Sequence, residues 1–560
     1  MVVLLSAVPL AATEAMWVFL ADKPAADGRR IGWFAGHTAT RQQFDLSLDA
    51  SYLQAVQATG AVLRQRSRWF NAVSVTATAD QVPELRALPF VLDVRPVRNL
   101  RRTPETATAS APAPRRAGAA LDYGESFEQS AAVAAHLLHA RDVMGQGVRV
   151  AIIDAGFNWQ DHQAFASLNV VAWRDFLNDD NDVSDEPDEP ITGNEIETGQ
   201  NLHGTEVLGV IAGYDPGRLV GIAPRAEYLL AKTEDARVDA RGVELDPATE
   251  EDRWIAAIEW ADSLGAQVVS SSLGYITFDD GTGYTYEDLD GRTALTTRAA
   301  ELAVARGIVV VVAAGNEGST SWHYITVPAD GAGVIAVGAV HPVNNGLAFF
   351  SSRGPTADGR IKPDVVAPGQ QIVTVSGRGA GSAAAPFSLQ EYRRLSGTSF
   401  SAPIVSGACA LLLQLHPTWT PAEVADALRS TATDLGPAGP DTLFGWGLID
   451  VAKASGLDAI IPELSLMAAP FPNPARGPAP TIHFPVALHA TENVSLSLFD
   501  AAGELVDRVE SRRLPPGDYT SSALAPRWEV PERLADGVYL YVLSSETLHH
   551  TGKVAVLRTR

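Results

Sequence analysis

The chain has 560 residues, of which 46% are hydrophobic and 19% are charged, and its net charge is −23. These values exclude a largely disordered chain, leave room for about three or four domains, and argue against nucleic-acid binding, which needs a basic face. No apolar run reaches the roughly 20 residues of a membrane span, so none is predicted. The single cysteine, Cys409, cannot form an internal disulfide, and we expect a buried thiol.

The first 125 residues predict a leader, a small domain and a linker. Residues 1–15 have the apolar run and the small residues of a signal peptide without its basic start, so we expect a truncated signal peptide. Residues 16–100 predict a small α/β unit, with strands at 17–20, 73–78 and 90–94 and helices at 46–63 and 82–88. Residues 101–125 include an Ala-, Pro-, Thr- and Arg-rich stretch that cannot bury a core, so we expect an exposed, cleavable linker.

Residues 126–457 alternate strand and helix patterns. Apolar runs typical of strands covered on both faces lie at 148–153, 228–230, 268–269, 308–312 and 334–340. Helical patterns lie between them at 206–212, 253–264 and 293–305. This alternation predicts an α/β domain with a doubly wound, mainly parallel sheet. Thr420 and Glu423 then predict a capping box at the start of a later helix.

From residue 465 the pattern becomes that of an all-β domain. Phe471-Pro472-Asn473-Pro474 is a rigid, turn-forming stretch. Alternating apolar and polar residues then predict strands at 494–498, 538–542 and 554–557, separated by Ala-Gly and Asp-Gly turns. We therefore expect a small β-sandwich over residues 465–560.

Four polar residues lie at the ends of predicted elements of the α/β domain. Asp154 follows a strand, His203 precedes a helix, and Asn316 follows a strand through Ala313-Ala314-Gly315. Ser399 begins an apolar helix, and Pro403 suits a first helical turn there. Sites in open parallel sheets lie beyond the carboxyl ends of the strands. Each residue alone is more often a cap or a turn residue, but together they suggest chemistry.

The four residue types match the needs of acyl transfer. A serine hydroxyl is a weak nucleophile and needs a base, and a neutral imidazole is the best base near neutral pH. A carboxylate fixes the tautomer of that imidazole and stabilises its cation. A side-chain amide and the N–H group of the serine can donate to the oxyanion of the tetrahedral intermediate. The free N–H groups at a helix start favour the same negative charge.

The motifs around these residues resemble those of the subtilisin-like serine proteases, the subtilases. The matching segments are Val150–Gly156, His203-Gly204-Thr205, Ala313–Asn316, Phe350–Pro355, Lys362–Gly369 and Gly397–Pro403. Three residues depart from the family pattern. Ala155 stands where Thr or Ser is usual, Glu206 where His is usual, and Phe400 where Met is usual.

The resemblance implies a subtilisin-like fold and an endopeptidase that hydrolyses proteins or peptides without a cofactor. It implies Ser399 as the nucleophile, His203 as the general base and acid, Asp154 as the residue that orients it, and Asn316 as the oxyanion donor. It also implies the walls of the S1 pocket, which holds the side chain preceding the cleaved bond. Those walls would be Ser271, Ser272, Leu273, Gly274, Ala313, Ala314 and Gly315.

The flanking regions carry further resemblances. Residues 16–100 resemble the inhibitory propeptide of subtilases, so we expect a zymogen that cleaves itself in the 101–125 linker. Residues 471–560 resemble the C-terminal sorting domain of type IX secretion cargo, and an ordinary accessory β-sandwich is the alternative. Together with the predicted signal peptide, these features imply a bacterial protein that is secreted or held at the cell surface, with the type IX machinery as a partner.

Two alternatives remain open. The acidic run 175–190 contains Asp180, Asp182 and Ser184 at a spacing that suits calcium, and subtilases often bind calcium in loops, but acidic runs are more often simply solvated. The competing function is a non-catalytic relative, an adhesion or scaffold protein that keeps the subtilase fold. The four motif residues argue against that reading.

Overall fold

The computed structural model describes residues 13–32, 41–98, 106–108, 121–160, 162–184, 202–234, 250–276, 283–376, 392–456, 466–467, 470–477, 480–488, 492–514, 517–519, 526–545 and 548–558. Residues 1–12 of the predicted signal peptide, most of the predicted linker and residues 185–190 of the acidic run lie outside these ranges. Thr13 to Ala15, assigned to the signal peptide from sequence, form the start of the first strand.

The N-terminal unit is a small α/β layer. Its elements are β1 (Thr13–Leu20), β2 (Asp22–Pro24), β3 (Arg30–Gly32), α1 (Arg41–Phe44), α2 (Ala50–Ala58), β4 (Val62–Ser67), β5 (Ala72–Thr78), α3 (Gln81–Ala87) and β6 (Val91–Pro96). Within the described residues the antiparallel sheet has the order β4-β5-β1-β6. The inner sheet residues Val18, Val73 and Val75 pack on Val56 of α2 and Leu85 of α3.

One predicted helix of this unit is partly wrong. The pattern at 46–63 predicts a single helix, but α2 ends at Ala58 and Val62 begins β4. Gly60 has a φ of +86°, the left-handed conformation that commonly terminates a helix. Val62 and Leu63 happen to continue the helical spacing, so the apolar pattern alone misplaced the boundary.

The central unit is the predicted doubly wound α/β fold. Its strands are β8 (Arg149–Asp154), β9 (Asn169–Asp175), β12 (Glu227–Lys232), β13 (Val268–Ser271), β14 (Val309–Ala313), β15 (Ile335–Val340) and β16 (Val365–Pro368). In the described part of the chain these seven strands form a parallel sheet in the order β16-β15-β14-β13-β8-β12-β9. The predicted strands are all present, and β9 and β16 were missed because their apolar patterns are short.

Helices and short strands complete this unit. They are α4 (Phe127–Ala132), α5 (Ala135–His139), α6 (Leu202–Ala212), β10 (Tyr214–Asp215), β11 (Leu219–Val220), α7 (Glu251–Ser263), α8 (Leu295–Ala305), β17 (Ile372–Val375), β18 (Tyr392–Ser396), α9 (Thr398–Leu415), α10 (Pro421–Thr431) and α11 (Val451–Ala454). A short strand of the linker region, β7 (Thr106–Thr108), pairs antiparallel with β18. The predicted capping box is confirmed, because Thr420 accepts from the Glu423 N–H while Glu423 accepts from Thr420.

Helix α9 forms the centre of the core. It packs against β13, β14 and β15, and its residues from Thr398 to Leu413 are buried. Among the described residues it is the one helix whose length and apolar composition would suit a membrane span, but 89% of its apolar stretch is covered by the rest of the protein. Cys409 is fully buried in it, as expected, and burial raises the pKa of its thiol, so the unreactive protonated form dominates.

The N-terminal unit packs against α7 through buried polar contacts. Glu259 of α7 accepts hydrogen bonds from the Ser67 hydroxyl at 2.5 Å, the Arg68 N–H at 2.8 Å and the Trp69 N–H at 3.2 Å. At the other end of α7, the Asp252 carboxylate accepts from Arg64 at 3.1 Å. Three backbone or side-chain donors on one buried carboxylate fix the position of this unit on the helix.

The C-terminal unit is strand-rich, as predicted. Its strands are β19 (Leu466–Met467), β20 (Ala475–Arg476), β21 (Thr481–His483), β22 (Val486–Leu488), β23 (Glu492–Phe499), β24 (Leu505–Leu514), β25 (Gly517–Asp518), β26 (Arg527–Glu529), β27 (Gly537–Ser544) and β28 (His549–Leu557). Residues from β21, β22 and β26 share one core with residues from β23, β27 and β28. The Phe471 ring lies 3.9 Å from that of Phe127 of α4, which brings this unit against the central one.

Candidate active site

The carboxyl ends of three neighbouring strands lie side by side at one edge of the central sheet. Asp154 ends β8, Ser271 ends β13 and Ala313 ends β14. These strands are adjacent, with Ser271 in register with Ile153 on one side and with Val312 on the other. The sheet therefore places segment 271–274 next to Asp154 and segment 313–316 next to segment 271–274, although about 160 residues of chain separate Asp154 from Asn316.

Asp154 and His203 form a buried hydrogen-bonded pair. The distance between Asp154 Oδ1 and His203 Nδ1 is 2.5 Å, and the two residues are 0% and 7% exposed. Gly204 makes this approach feasible, because a Cβ atom there would lie 2.2 Å from the Gly156 carbonyl oxygen and 3.1 Å from the Asp154 Cβ. The glycine after the histidine thus lets the start of α6 sit directly on the end of β8.

Ser399 is the second residue of α9, at the amino end of the buried helix. The sequence places Pro403 in the first turn, but the structure places it further inside the helix. A proline at 403 cannot donate to the carbonyl of Ser399 four residues earlier. That carbonyl instead accepts from the Ser272 hydroxyl at 2.8 Å, and the Ser399 hydroxyl donates to the Ser272 carbonyl at 3.1 Å. Ser272 therefore locks Ser399 to the end of β13.

Asn316 is held by the residue that precedes Ser399. Its Oδ1 atom accepts from the Thr398 N–H at 2.9 Å and from the Thr398 hydroxyl at 3.0 Å. Because the amide oxygen is used this way, the Nδ2 group is the part of Asn316 available to donate to another acceptor. Thr398 also accepts from the Gly315 N–H at 3.2 Å. The Thr398 side chain thus ties the loop after β14 to the start of α9.

The structure shows what the three residues that depart from the family pattern contact. The Phe400 ring, fully buried, lies 6.1 Å from the His203 ring and brings the start of α6 beside the start of α9. Ala155 contributes its backbone N–H, which donates to Asp154 Oδ1 at 2.7 Å, so a side-chain hydroxyl is not required for that bond. The Glu206 carboxylate forms an ion pair with Arg393 of β18, which links the His203 helix to the strand before Ser399.

The geometry gives the calcium prediction no support. Asp180 Oδ1 accepts from the Asp182 N–H, and Asp182 Oδ1 accepts from the N–H and the hydroxyl of Ser184. Each carboxylate thus accepts from a residue two positions further along this exposed loop. In the ranges that the structure covers, no group of three or more His, Cys, Asp or Glu side chains is placed to hold a metal ion. Calcium binding here stays a prediction.

Two residues with structural roles at the site were missed from the sequence. Ser272 was expected only as a pocket wall, and Thr398 was read only as part of the serine motif. Both act through contacts between segments far apart in the chain, 127 residues in the case of Ser272 and Ser399. The sequence signal that could have pointed to the role of Ser272 is Pro403. A proline at that position leaves the Ser399 carbonyl without its helical hydrogen-bond donor.

Comparison with known proteins identifies two family domains in the chain. Residues 145–447 match the subtilase family, and residues 35–111 match the peptidase S8 propeptide domain of Bacteroidota. The chain is 33% identical to subtilisin E of Bacillus subtilis over 379 residues, which cover 67% of this chain and 82% of the relative. It is 35% identical to a subtilisin of Bacillus pumilus over 326 residues, which cover 58% of this chain and 96% of the relative.

One solved structure has a similar fold. Fervidolysin from Fervidobacterium pennivorans, described as a keratinolytic enzyme related to subtilisin, aligns with a TM-score of 0.54 and 19% identity. The alignment covers 97% of this chain and 91% of the fervidolysin chain. At this identity the similarity concerns the fold.

Proposed function

The chain belongs to the subtilase family and is a subtilisin-like serine endopeptidase with an N-terminal propeptide domain, and from this premise we propose that Ser399, His203 and Asp154 are its catalytic triad. The observation that carries the proposal is the buried 2.5 Å pair of Asp154 and His203 beside the helix start that holds Ser399. Asp154 fixes the imidazole with Nδ1 protonated, which leaves Nε2 as the base.

The roles of these groups follow from their chemistry. Ser399 Oγ bonds to the carbonyl carbon of the substrate while its proton passes to His203 Nε2. His203 then gives this proton to the departing amine nitrogen, and the acyl group stays on Ser399. A water molecule then attacks the acyl group and passes its proton to His203. His203 returns this proton to Ser399 Oγ, and the carboxylic acid product leaves. Asn316 Nδ2 and the Ser399 N–H, at the positive end of α9, donate to the oxyanion in both steps.

A fluorophosphonate probe tests the assignment on the wild-type protein. We expect one probe molecule to be incorporated, and mass spectrometry of the digested protein should locate it on Ser399. The competing function is a non-catalytic adhesion or scaffold protein with the same fold. Absence of labelling from the processed, folded protein would favour that alternative, and labelling at another residue would refute the role of Ser399.

Replacing Asn316 by leucine should lower kcat by about 100- to 1,000-fold with little change in KM, a magnitude carried over from the subtilisins themselves. The physical reason is that the amide group meets the oxygen only once it becomes negatively charged. Steady-state hydrolysis of a chromogenic peptide measures both constants. Asn316→Asp is a useful companion, because it keeps the acceptor for Thr398 but replaces the donor by a negative charge, and it should be at least as inactive. Near-wild-type kcat in the leucine variant would contradict the oxyanion role.

We propose that the enzyme cleaves its own linker on the amino-terminal side of Thr106. Strand β7 pairs antiparallel with β18, with Thr106 opposite Ser396 and Thr108 opposite Arg394. Ser396 lies three residues before Ser399. Because β7 runs antiparallel to β18, the chain on the amino-terminal side of Thr106 leads towards Ser399. An extended segment that adds to a sheet edge is the usual way for a peptide to bind beside such a site. The sequence predicts a cut anywhere in 101–125, and this proposal places it before residue 106.

The propeptide should then dissociate faster as the pH rises. Burial raises the pKa of Glu259 to about 7 from its ordinary value of 4.5, although the hydrogen bonds from Ser67, Arg68 and Trp69 oppose this shift. The pKa of Glu259 is higher when the propeptide is bound than when it is released. The contribution of Glu259 to propeptide binding is therefore complete below about pH 4.5 and is lost as the pH rises through about 7. Each pKa unit corresponds to a factor of ten in the binding constant. We therefore expect the propeptide to bind roughly a hundredfold more weakly at pH 8 than at pH 4.

The lag before peptide hydrolysis, together with gel filtration of the cleaved protein, measures this release. Glu259→Gln is the matched control, because it keeps the size and an acceptor oxygen but does not titrate over this range. Its release should vary much less with pH than that of the wild type. An equal pH dependence in the two proteins would exclude Glu259 as the titrating group.

We propose that the walls of the S1 pocket are residues 271–274 and 313–315. Two hydrogen bonds support this proposal: Ser272 donates to the Ser399 carbonyl, and the Gly315 N–H donates to Thr398. The gap between the two segments therefore opens at the nucleophile. Both walls end in glycine, which lets a peptide backbone approach closely.

We also propose that the enzyme is exported, with the C-terminal unit as a type IX sorting domain. The propeptide match to Bacteroidota and the separate β-rich core of residues 470–558 support this proposal. Deletion of residues 465–560 should leave the protease inside a host with type IX secretion, and fractionation would measure it. Unchanged export would favour an ordinary accessory domain.

A further inference from the structure

The side chain of Thr326 lies in the gap between Gly274 and Gly315. A Cβ atom built on Gly274 would lie 2.1 Å from Thr326 Oγ1, and one built on Gly315 would lie 2.7 Å from Thr326 Cγ2. Both glycines therefore face the same threonine at close range. Thr326 is 2% exposed, so the protein surrounds it on its other sides.

This gap adjoins the nucleophile. Ser272, two residues before Gly274, exchanges two hydrogen bonds with Ser399, and Gly315 donates to Thr398. A substrate carbonyl carbon at Ser399 Oγ thus lies at the mouth of the space between the two glycine segments. With the S1 walls as proposed above, the side chain of the residue that carries this carbonyl, P1, enters this space and meets Thr326.

The backbone holds Thr326 firmly in this place. Its N–H donates to the Ala314 carbonyl at 3.1 Å, which attaches it to the wall that follows β14. The next residue, Val327, exchanges hydrogen bonds of 3.0 and 3.2 Å with Tyr275 beyond the other wall. The preceding residue, Ile325, donates to the Arg353 carbonyl at 3.0 Å. A large P1 side chain could displace Thr326 only by breaking these bonds, since a densely packed interior does not yield.

We propose that Thr326 closes the S1 pocket and makes the enzyme selective for peptides with a small P1 residue, such as alanine or serine. This inference rests on the proposed function, because it assumes that Ser399 is acylated by the substrate. A branched or aromatic P1 side chain would have to occupy the volume of the threonine. A methyl or hydroxymethyl group needs the least of this volume.

A set of chromogenic peptides that differ only in P1 (Ala, Leu, Phe) tests the proposal on the processed enzyme. The wild type should show a kcat/KM for the Ala peptide at least about tenfold above that for the Phe peptide, since discrimination of 10- to 200-fold is typical of even one methylene. Thr326→Gly should raise the ratio of kcat/KM for the Phe peptide to kcat/KM for the Ala peptide at least about tenfold. Thr326→Ala should give an intermediate ratio.

The control is Thr326→Val, which has the same shape without the hydroxyl group and should keep the order of preference. If the glycine variant does not accumulate, the wild-type profile together with the alanine variant decides. Wild-type preference for Phe or Leu at P1, or an unchanged ratio in the glycine and alanine variants, would overturn the role of Thr326. Ser399→Ala is assayed in parallel: peptide hydrolysis that persists in it refutes the proposed function, whereas Ser399-dependent hydrolysis with a large P1 preference refutes only this inference.

Discussion

Replacing Ser399 by alanine should reduce kcat by about a millionfold, a magnitude carried over from the subtilisins themselves. The substitution removes one buried oxygen atom, the only atom that bonds covalently to the substrate in the proposed mechanism. The oxyanion donors and the substrate-binding segments remain, so KM should change little. The same variant should also keep its propeptide covalently attached, whereas the wild type should be cut before Thr106. Intact mass and N-terminal sequencing measure the cleavage, and peptide hydrolysis measures kcat.

Ser401→Ala provides the matched control. Ser401 lies two residues further along α9, is fully buried, and has a hydroxyl oxygen without a hydrogen-bond partner among the described residues. Its replacement removes the same group from the same helix and should leave both self-cleavage and kcat within about a few-fold of wild type. Self-cleavage by the Ser399 variant at the wild-type rate would show that another group is the nucleophile. A first cut after Thr108 would contradict the position assigned to β7.

Replacing Asp154 by asparagine should lower kcat by about ten-thousandfold, again without a large change in KM. The carboxylate accepts from His203 Nδ1 at 2.5 Å and from the Ala155 N–H at 2.7 Å. An asparagine that turns its NH2 group towards the imidazole forces the proton onto Nε2, and this tautomer cannot accept the Ser399 proton. An asparagine that keeps its oxygen there no longer stabilises the imidazolium ion.

Asp142→Asn makes the same chemical change at the surface, where Asp142 is exposed and pairs with Arg225. It should leave kcat unchanged, because exposed ion pairs contribute little. The two variants are compared by steady-state kinetics and by thermal unfolding. An Asp154 variant that keeps more than about a tenth of the wild-type kcat would contradict the orienting role. A large loss of folding stability in that variant alone would assign part of the effect to structure.

Much of this protein could be predicted without coordinates. The alternation of apolar runs with helical patterns predicted the α/β class, since strands covered on both faces need continuous apolar residues. The four motif residues could be proposed because each follows or begins an element, where parallel strands place sites, and because the segments around them resemble subtilase motifs. The errors arose at boundaries, as at Gly60 and at Pro403, where local patterns continue across a real break.

The amino-acid sequence by itself therefore determined the fold class and suggested four residues for acyl transfer, because periodicity and element ends are local properties of the chain. Only the tertiary structure decided what fixes and what limits the site. Ser272 bonds to Ser399 across 127 residues, β7 lies on the edge of β18, and Thr326 lies between two glycines that belong to different strand ends. These are contacts between segments distant in the chain, and no local pattern records them, since the close packing that creates them is set by the whole fold.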